Sequence, residues 1–174
     1  MNNKFLISFW LVFTALVLSA ALLDKFYGML RDNSSANRKP YSFTRVLLTW
    51  WTVIIISAFA AIMISSGKLP ALDNSTLVLL GISSATAAGG ILTTPSPQQQ
   101  SFPDGQNLVL DILSDARFVT VPRFQAVAFN FIIGIWMIIQ VNTGFVIPPV
   151  SNQVLLLLGI SATTYAGLKT TENH

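Results

Sequence analysis

The stretch Leu79-Leu80-Gly81-Ile82-Ser83 recurs 78 residues later as Leu157-Leu158-Gly159-Ile160-Ser161. A gapless comparison of Tyr41–Gly89 with the later copy contains 14 identities in 49 positions. Roughly three or four identities would arise by chance in a chain this apolar, so the pattern predicts an internal duplication. Nine further positions match under the same shift, among them Arg45 with Arg123, Pro70 with Pro148, and Asn74 with Asn152.

Composition places the duplicated unit in a membrane. Apolar residues make up 52% of the chain and charged residues 10%, with a mean hydropathy of +0.62, whereas soluble domains carry about 25% charged residues. The uncharged runs Phe5–Leu23, Val46–Ile64 and Phe124–Val141 approach the ~20 residues that a spanning helix needs. Two shorter runs, Leu77–Leu92 and Val154–Leu168, occupy matching places in the two copies, which predicts the return leg of a hairpin in each.

The predicted fold is therefore an all-α membrane protein with five transmembrane helices, namely one leader helix plus two tandem, parallel-oriented helical hairpins. Residues 1–40 hold the leader helix, which we expect to be retained rather than cleaved as a signal peptide, and a cytosolic linker. Residues 41–92 and 119–174 hold the two hairpins, the second with a C-terminal tail. Residues 93–118 form a second cytosolic linker.

The second linker is predicted to contain an amphipathic helix over Gln106–Phe118, because apolar residues recur there at helical spacing. The opposite face carries Asp111, Ser114 and Asp115. This anionic face favours docking on protein over adhesion to acidic lipids, the other arrangement open to such a helix.

The distribution of Lys and Arg predicts the orientation. The predicted orientation has the N-terminus outside and the C-terminus in the cytoplasm, which leaves only Lys4 and Lys68 outside. The membrane is predicted to be the inner membrane of a bacterium. The inside segments then carry eight basic residues: Lys25, Arg31, Arg38, Lys39, Arg45, Arg117, Arg123 and Lys169.

The return legs carry small residues spaced by four, a pattern that lets helix backbones approach closely in lipid. We predict that these residues form helix-packing seams, either within one chain or between chains. They are Gly81, Ala85 and Gly89 in the first copy, and Gly159, Thr163 and Gly167 in the second.

Hydroxyl residues occupy the opposite side of each return leg: Ser83 and Thr86, then Ser161 and Thr164. They either bond to carbonyls of the preceding turn or line a water-filled path in an oligomer, which makes them candidate pore-lining residues. Asn130 is a further candidate, although an amide inside a span more often hydrogen-bonds across helices.

Arg45 and Arg123 begin the outgoing legs of the two copies. They are predicted to anchor the helices at the inner surface, with a lipid phosphate as one partner and a cytosolic anionic ligand or partner as the alternative. Trp50 and Trp51, close to Arg45, are predicted to join an interfacial aromatic belt.

Several function classes are disfavoured by what the sequence lacks. The chain has no cysteine, which excludes disulfides and thiolate metal sites. No charged residue lies in the middle of a predicted span, where proton relays, coupled transporters and voltage sensors need one. With one histidine, His174, and no catalytic constellation, we expect no enzymatic activity, no cofactor, no metal and no nucleic-acid partner.

Five stretches of the chain carry a resemblance to a group of known proteins. Three belong to the second copy, namely Leu110–Asp115, Arg123-Phe124-Gln125 and Leu158–Lys169, and two to the first, namely Tyr41–Arg45 and Leu80–Ser83. Over Tyr41–Glu172, the chain resembles a group of poorly characterised small bacterial membrane proteins with a duplicated two-helix unit. The resemblance implies a membrane effector associated with defence or signalling, and no catalytic residues. The first copy departs from the pattern at Thr86-Ala87, where the second has Thr164-Tyr165.

Two functions from different classes are consistent with these patterns. The first is a homo-oligomeric, ion-conducting or membrane-permeabilising protein, with residues 93–122 available to a cytosolic protein partner. The second is a non-conducting anchor or scaffold subunit of a larger complex.

Overall fold

Three long apolar helices dominate the computed structural model, which describes residues 2–32, 36–70, 76, 104–115, 118–151, 153–155 and 157–158. Helix α1 spans Asn2–Tyr27 and α2 spans Phe43–Ser66. A short helix, α3, spans Leu108–Leu113, and strands β1 and β2 follow at Ser114–Asp115 and Phe118–Val119. Helix α4 spans Val121–Gly144.

Helices α1, α2 and α4 are each long and apolar enough to cross a membrane, so the chain is a membrane protein. Helices α2 and α4 have 24 residues each, which corresponds to a length of about 36 Å. The hydrocarbon core of a bilayer is about 30 Å thick. Each of the two helices is therefore longer than the hydrocarbon core is thick. Most residues of the two predicted return legs lie outside the described residues.

Helices α2 and α4 coincide under the shift of 78 residues, both at their first and at their last residue. Each is followed by a residue with left-handed backbone, Gly67 at φ 67° and Phe145 at φ 56°. This conformation costs a residue with a side chain roughly 1 to 2 kcal/mol. The Phe145 ring packs edge-on against Phe5, with 5.0 Å between ring centroids, and this contact offsets part of the cost.

The contacts between helices set their directions. The guanidinium of Arg123, near the start of α4, lies 5.7 Å from the ring centroid of Phe43 at the start of α2, so these two helices run parallel. Phe5 near the start of α1 meets Phe145 just beyond α4, so α1 runs antiparallel to α4. The apolar core lies between the three helices. Its most enclosed members are Phe5, Phe9, Trp51, Ile54, Ala58, Ala61, Met137 and Val141.

The segment before α4 differs from the predicted helix over Gln106–Phe118. The helix ends at Leu113, and β1 then pairs antiparallel with β2, with Ser114 opposite Val119. Phe118 and Val119 favour extended backbone, and the reversal returns the chain to the start of α4. Helix α3 docks on the protein as predicted, because Ile112 is buried in a cluster with Phe43, Leu47 and Ala126.

Gly134 allows the Trp50 indole to lie directly against the α4 backbone. A Cβ atom at position 134 would overlap Nε1 of Trp50 and lie 2.8 Å from its Cε2. The indole has little room to withdraw, because it stacks on Phe131 with 4.8 Å between ring centroids. Its Nε1–H also donates to the backbone oxygen of Asn130 at 3.3 Å. The close approach of α2 and α4 therefore requires a residue without a side chain at this position.

We predict that Gly134→Ala destabilises the protein by about 1–3 kcal/mol through this overlap, although alanine favours helix by about 1 kcal/mol. The matched control is Gly144→Ala in the same helix, where the added Cβ would meet only Val146 Cγ2 at 3.7 Å. Unfolding of purified protein by SDS in mixed micelles, followed by circular dichroism, measures both. Equal stability of the two variants would contradict the close contact.

Candidate functional site

A cluster of charged and hydrogen-bonding residues, here called the polar platform, lies where α1 ends and where α2 and α4 begin. It contains Asp24, Arg31, Tyr41, Arg45, Asp104, Asp111 and Arg123. Among the described residues, Lys4 and Lys68 are the basic residues at the opposite end of the helices. The platform end holds six: Lys25, Arg31, Arg38, Lys39, Arg45 and Arg123.

Arg31 closes the connection between α1 and α2. Its Nε lies 3.9 Å from Oδ2 of Asp24, whose Oδ1 accepts the backbone N–H of Leu30 at 3.0 Å. Its two terminal nitrogens donate to the Lys39 carbonyl and to the Tyr41 hydroxyl, both at 3.1 Å, and the guanidinium lies 4.6 Å from the Tyr41 ring centroid. The described part of the first linker is therefore tied to both helices.

Arg45 and Arg123, which match under the duplication, make the same kind of contact. Nη1 of Arg45 donates to the Arg31 carbonyl at 2.8 Å. Nη1 of Arg123 donates to the Ser114 carbonyl, and lies 3.4 Å from the Asp111 carbonyl. Carbonyls at a helix end lack intrahelical partners, and a guanidinium supplies several donors in a fixed geometry. Each arginine thus binds the chain that leads into its own helix, while the predicted anchoring at the inner surface stays a prediction.

Asp111 joins the two linkers. Its Oδ2 accepts the backbone N–H of Tyr41 at 3.1 Å, and its Oδ1 accepts the N–H of Gln106 at 2.9 Å. Gly105 donates its N–H to the Arg38 carbonyl at 2.7 Å and packs so closely that a Cβ would lie 2.8 Å from Pro40 Cα. The described parts of the two linkers are therefore bonded to each other. The sequence offered a weak signal for this role, an acidic residue within the apolar run Leu108–Leu113.

Asn130 and Trp51 connect α2 and α4 inside the apolar core. The indole Nε1–H of Trp51 donates to Oδ1 of Asn130 at 2.8 Å, and Nδ2 of Asn130 donates to the Ala126 carbonyl at 2.8 Å. Trp51 is 1% exposed, so its predicted place in an interfacial belt is wrong. A buried indole needs an acceptor, and Asn130 supplies one inside the span. The pore-lining role of Asn130 stays a prediction.

The outer stripe of α4 consists of Ile132, Trp136, Gln140 and Thr143, which are exposed and share one helix face. Among the described residues, none hydrogen-bonds to the side-chain amide of Gln140. An open apolar groove of about 360 Å³ borders the stripe. Its lining consists of Ile132, Ile133, Trp136, Pro149, Val150, Ser151 and Val154.

The remaining predicted site residues lie outside the described residues. They are the helix-packing positions Gly81, Ala85, Gly89, Gly159, Thr163 and Gly167, and the pore-lining candidates Ser83, Thr86, Ser161 and Thr164. Within the described ranges, no group of three or more His, Cys, Asp or Glu side chains could hold a metal ion.

No protein-family model, no curated protein and no solved structure matches this chain. The resemblance to small bacterial membrane proteins stays a prediction.

We predict that Trp51→Phe and Asn130→Leu are coupled in a double-mutant cycle by about 1 kcal/mol, the usual scale of a hydrogen bond between membrane helices. The control pair is Trp136→Phe with Asn130→Leu, because Trp136 lies on the exposed stripe. Unfolding by SDS, followed by circular dichroism, measures all variants. Additive effects of the Trp51 and Asn130 substitutions would show that this bond does not stabilise the helix pair.

Proposed function

We propose that this protein is an oligomeric integral membrane protein that conducts ions or permeabilises the bilayer. The observation that carries the proposal is the outer stripe of α4, where Gln140 presents an amide from a helix long enough to span the membrane. An amide without a hydrogen-bond partner is costly in an apolar environment. No described residue bonds to the Gln140 amide, and we propose that a second copy of the chain, or water held between copies, is its partner.

The proposed architecture has five transmembrane helices, arranged as a leader helix and two tandem hairpins of the same orientation. Two observations support the duplication: the matching bounds of α2 and α4, and the shared use of Arg45 and Arg123. Residues 77–92 and 154–168 are the proposed return legs. Their small residues at Gly81, Ala85, Gly89, Gly159, Thr163 and Gly167 supply the proposed packing seams.

The proposed orientation places the polar platform in the cytoplasm and the N-terminus outside, in a bacterial inner membrane. The concentration of basic residues at the platform supports this orientation, because cytoplasmic segments of membrane proteins are enriched in Lys and Arg. The platform joins the starts of α2 and α4 to both linkers. A ligand or partner bound there would act on both outgoing helices, as a gated effector requires.

The proposed conducting path is lined by the hydroxyls of Ser83, Thr86, Ser161 and Thr164 in neighbouring copies. Hydroxyl and carbonyl oxygens replace part of the hydration shell of an ion, and apolar rings close a path by dewetting. The absence of charged residues from the middle of the predicted spans is compatible with such a path, and it disfavours a proton-coupled carrier.

The alternative is a non-conducting anchor or scaffold subunit that holds a cytosolic partner through residues 93–122 and the first linker. The bonded platform favours this alternative, because it presents a fixed surface with exposed Lys25, Arg38 and Lys39 side chains. Stoichiometric co-purification of one large partner in mild detergent distinguishes the scaffold from a self-sufficient channel.

We predict that Gln140→Leu shifts the protein from oligomer towards monomer, because the substitution removes the amide that bonds between copies. Gln125→Leu is the matched control, since Gln125 is exposed at the opposite end of α4. Subunit counting by single-molecule photobleaching in liposomes reads the distribution. A wild-type protein that is monomeric throughout, or a Gln140→Leu variant with the wild-type distribution, argues against the outer stripe as an interface.

We predict discrete currents from the purified oligomer in planar bilayers, and a several-fold lower conductance when Ser83, Thr86, Ser161 and Thr164 are changed to Val. The control is Thr14→Val, because the Thr14 hydroxyl donates to the carbonyl of Trp10 in its own helix at 2.6 Å. An assembled oligomer that passes no current at any voltage would overturn the conduction proposal. An unchanged conductance in the valine variant would remove these hydroxyls from the path.

A further inference from the structure

Helix α3 and the β1–β2 hairpin together form a body that the sequence placed in a cytosolic linker. We propose that this body, here called the interfacial wedge, inserts its apolar side into the boundary between lipid headgroups and acyl chains. The proposal requires only that the protein spans a membrane, and it depends neither on conduction nor on oligomer formation.

The described part of the wedge exposes several apolar side chains. Phe118 is 76% exposed, Val109 is 59% exposed and Val119 is 54% exposed. Single exposed apolar residues are ordinary on a protein surface, whereas neighbouring ones mark a contact with lipid or protein. Among the residues that the structure describes, none covers these three side chains.

Exposed apolar residues continue along the chain from β2 into the start of α4. Val121 and Phe124, three residues apart on the first turn of α4, are 77% and 57% exposed. Because α4 is about 36 Å long and the hydrocarbon core about 30 Å thick, its first turn lies at the boundary of the bilayer. Phe118 and Val119 precede that turn directly. The continuity of the two surfaces favours lipid over a cytosolic protein as the occupant.

Several polar groups in the described part of the wedge are bonded within the protein, as contact with lipid requires. Both carboxylate oxygens of Asp111 accept backbone N–H groups, and Asn107 Oδ1 accepts the N–H of Leu110 at 2.9 Å. Arg123 binds the Ser114 carbonyl, and β1 pairs with β2. Of the anionic face that disfavoured lipid contact in the sequence, the Asp111 carboxylate is therefore bonded to the protein itself.

Exposed aromatic residues at the end of α1 indicate the same depth in the bilayer as the wedge. Phe26 and Tyr27 are 70% and 81% exposed at the platform end of α1. Aromatic side chains, above all Trp and Tyr, collect at the interface between headgroups and acyl chains. Lys25 beside them supplies a cation at headgroup level, where it meets lipid phosphate. Aromatic groups from two separate segments thus lie at the same end of the bundle.

The chain has no cysteine, so one introduced cysteine can carry an environment-sensitive fluorophore such as NBD without background. We would compare Phe118→Cys with Gln106→Cys in liposomes of phosphatidylcholine and phosphatidylglycerol. Gln106 is the control because it is exposed and polar within the same segment. Lipids with a nitroxide near the headgroup or deep in the chain quench from the bilayer, and iodide quenches from water.

At position 118 we expect a blue-shifted emission and only weak quenching by iodide. Lipid with a nitroxide near the headgroup should quench position 118 several-fold more strongly than position 106. Strong iodide quenching at both positions would overturn the proposal and place the wedge in water. Protection of position 118 from both quenchers would also overturn it, since a protein would then cover this side. A second label at Val121→Cys gives the depth of the adjoining first turn of α4. Lipid quenching at position 121 without lipid quenching at position 118 would also overturn the proposed insertion of the wedge.

Discussion

Apolar side chains of membrane helices gain little by meeting one another, because acyl chains offer them an equivalent environment. The relative position of the helices therefore depends on the few contacts that lipid cannot reproduce. Between α2 and α4 two such contacts are the hydrogen bond from Trp51 to Asn130 and the close packing of the Trp50 indole against Gly134. The first needs a polar group within the apolar core, and the second needs a position without a side chain. Both are directional, so they set the register of the parallel pair, whereas the surrounding Ile, Leu and Val side chains fill space.

The polar platform meets a related constraint at the helix ends. Backbone groups close to lipid must find partners within the protein. Arg45 and Arg123 supply donors to carbonyls of the preceding chain, and Asp111 accepts N–H groups from both linkers. The described parts of both linkers are thereby bonded to the starts of α2 and α4.

The three described spans were predictable because their signal is local. The runs Phe5–Leu23, Val46–Ile64 and Phe124–Val141 lie inside α1, α2 and α4, and the structure extends each run by a few residues. The length of the helix before α4 was not predictable from periodicity. Residues 114–118 follow the helical pattern of apolar residues, yet Ser114, Asp115 and Phe118 are paired as strands because the chain must reverse direction there.

The sequence by itself determined three things. The chain carries spans apolar enough to cross a membrane, the described spans lie at predictable positions along the chain, and an arginine stands near the start of both α2 and α4. These properties follow from composition and from spacing along the chain. Only the tertiary structure decided the partners: the Asn130 amide for Trp51, the Ser114 carbonyl for Arg123 and two backbone amides for Asp111. The distance along the chain from Trp51 to Asn130 is 79 residues. No local pattern encodes such a pairing, because it depends on how the helices approach one another in three dimensions.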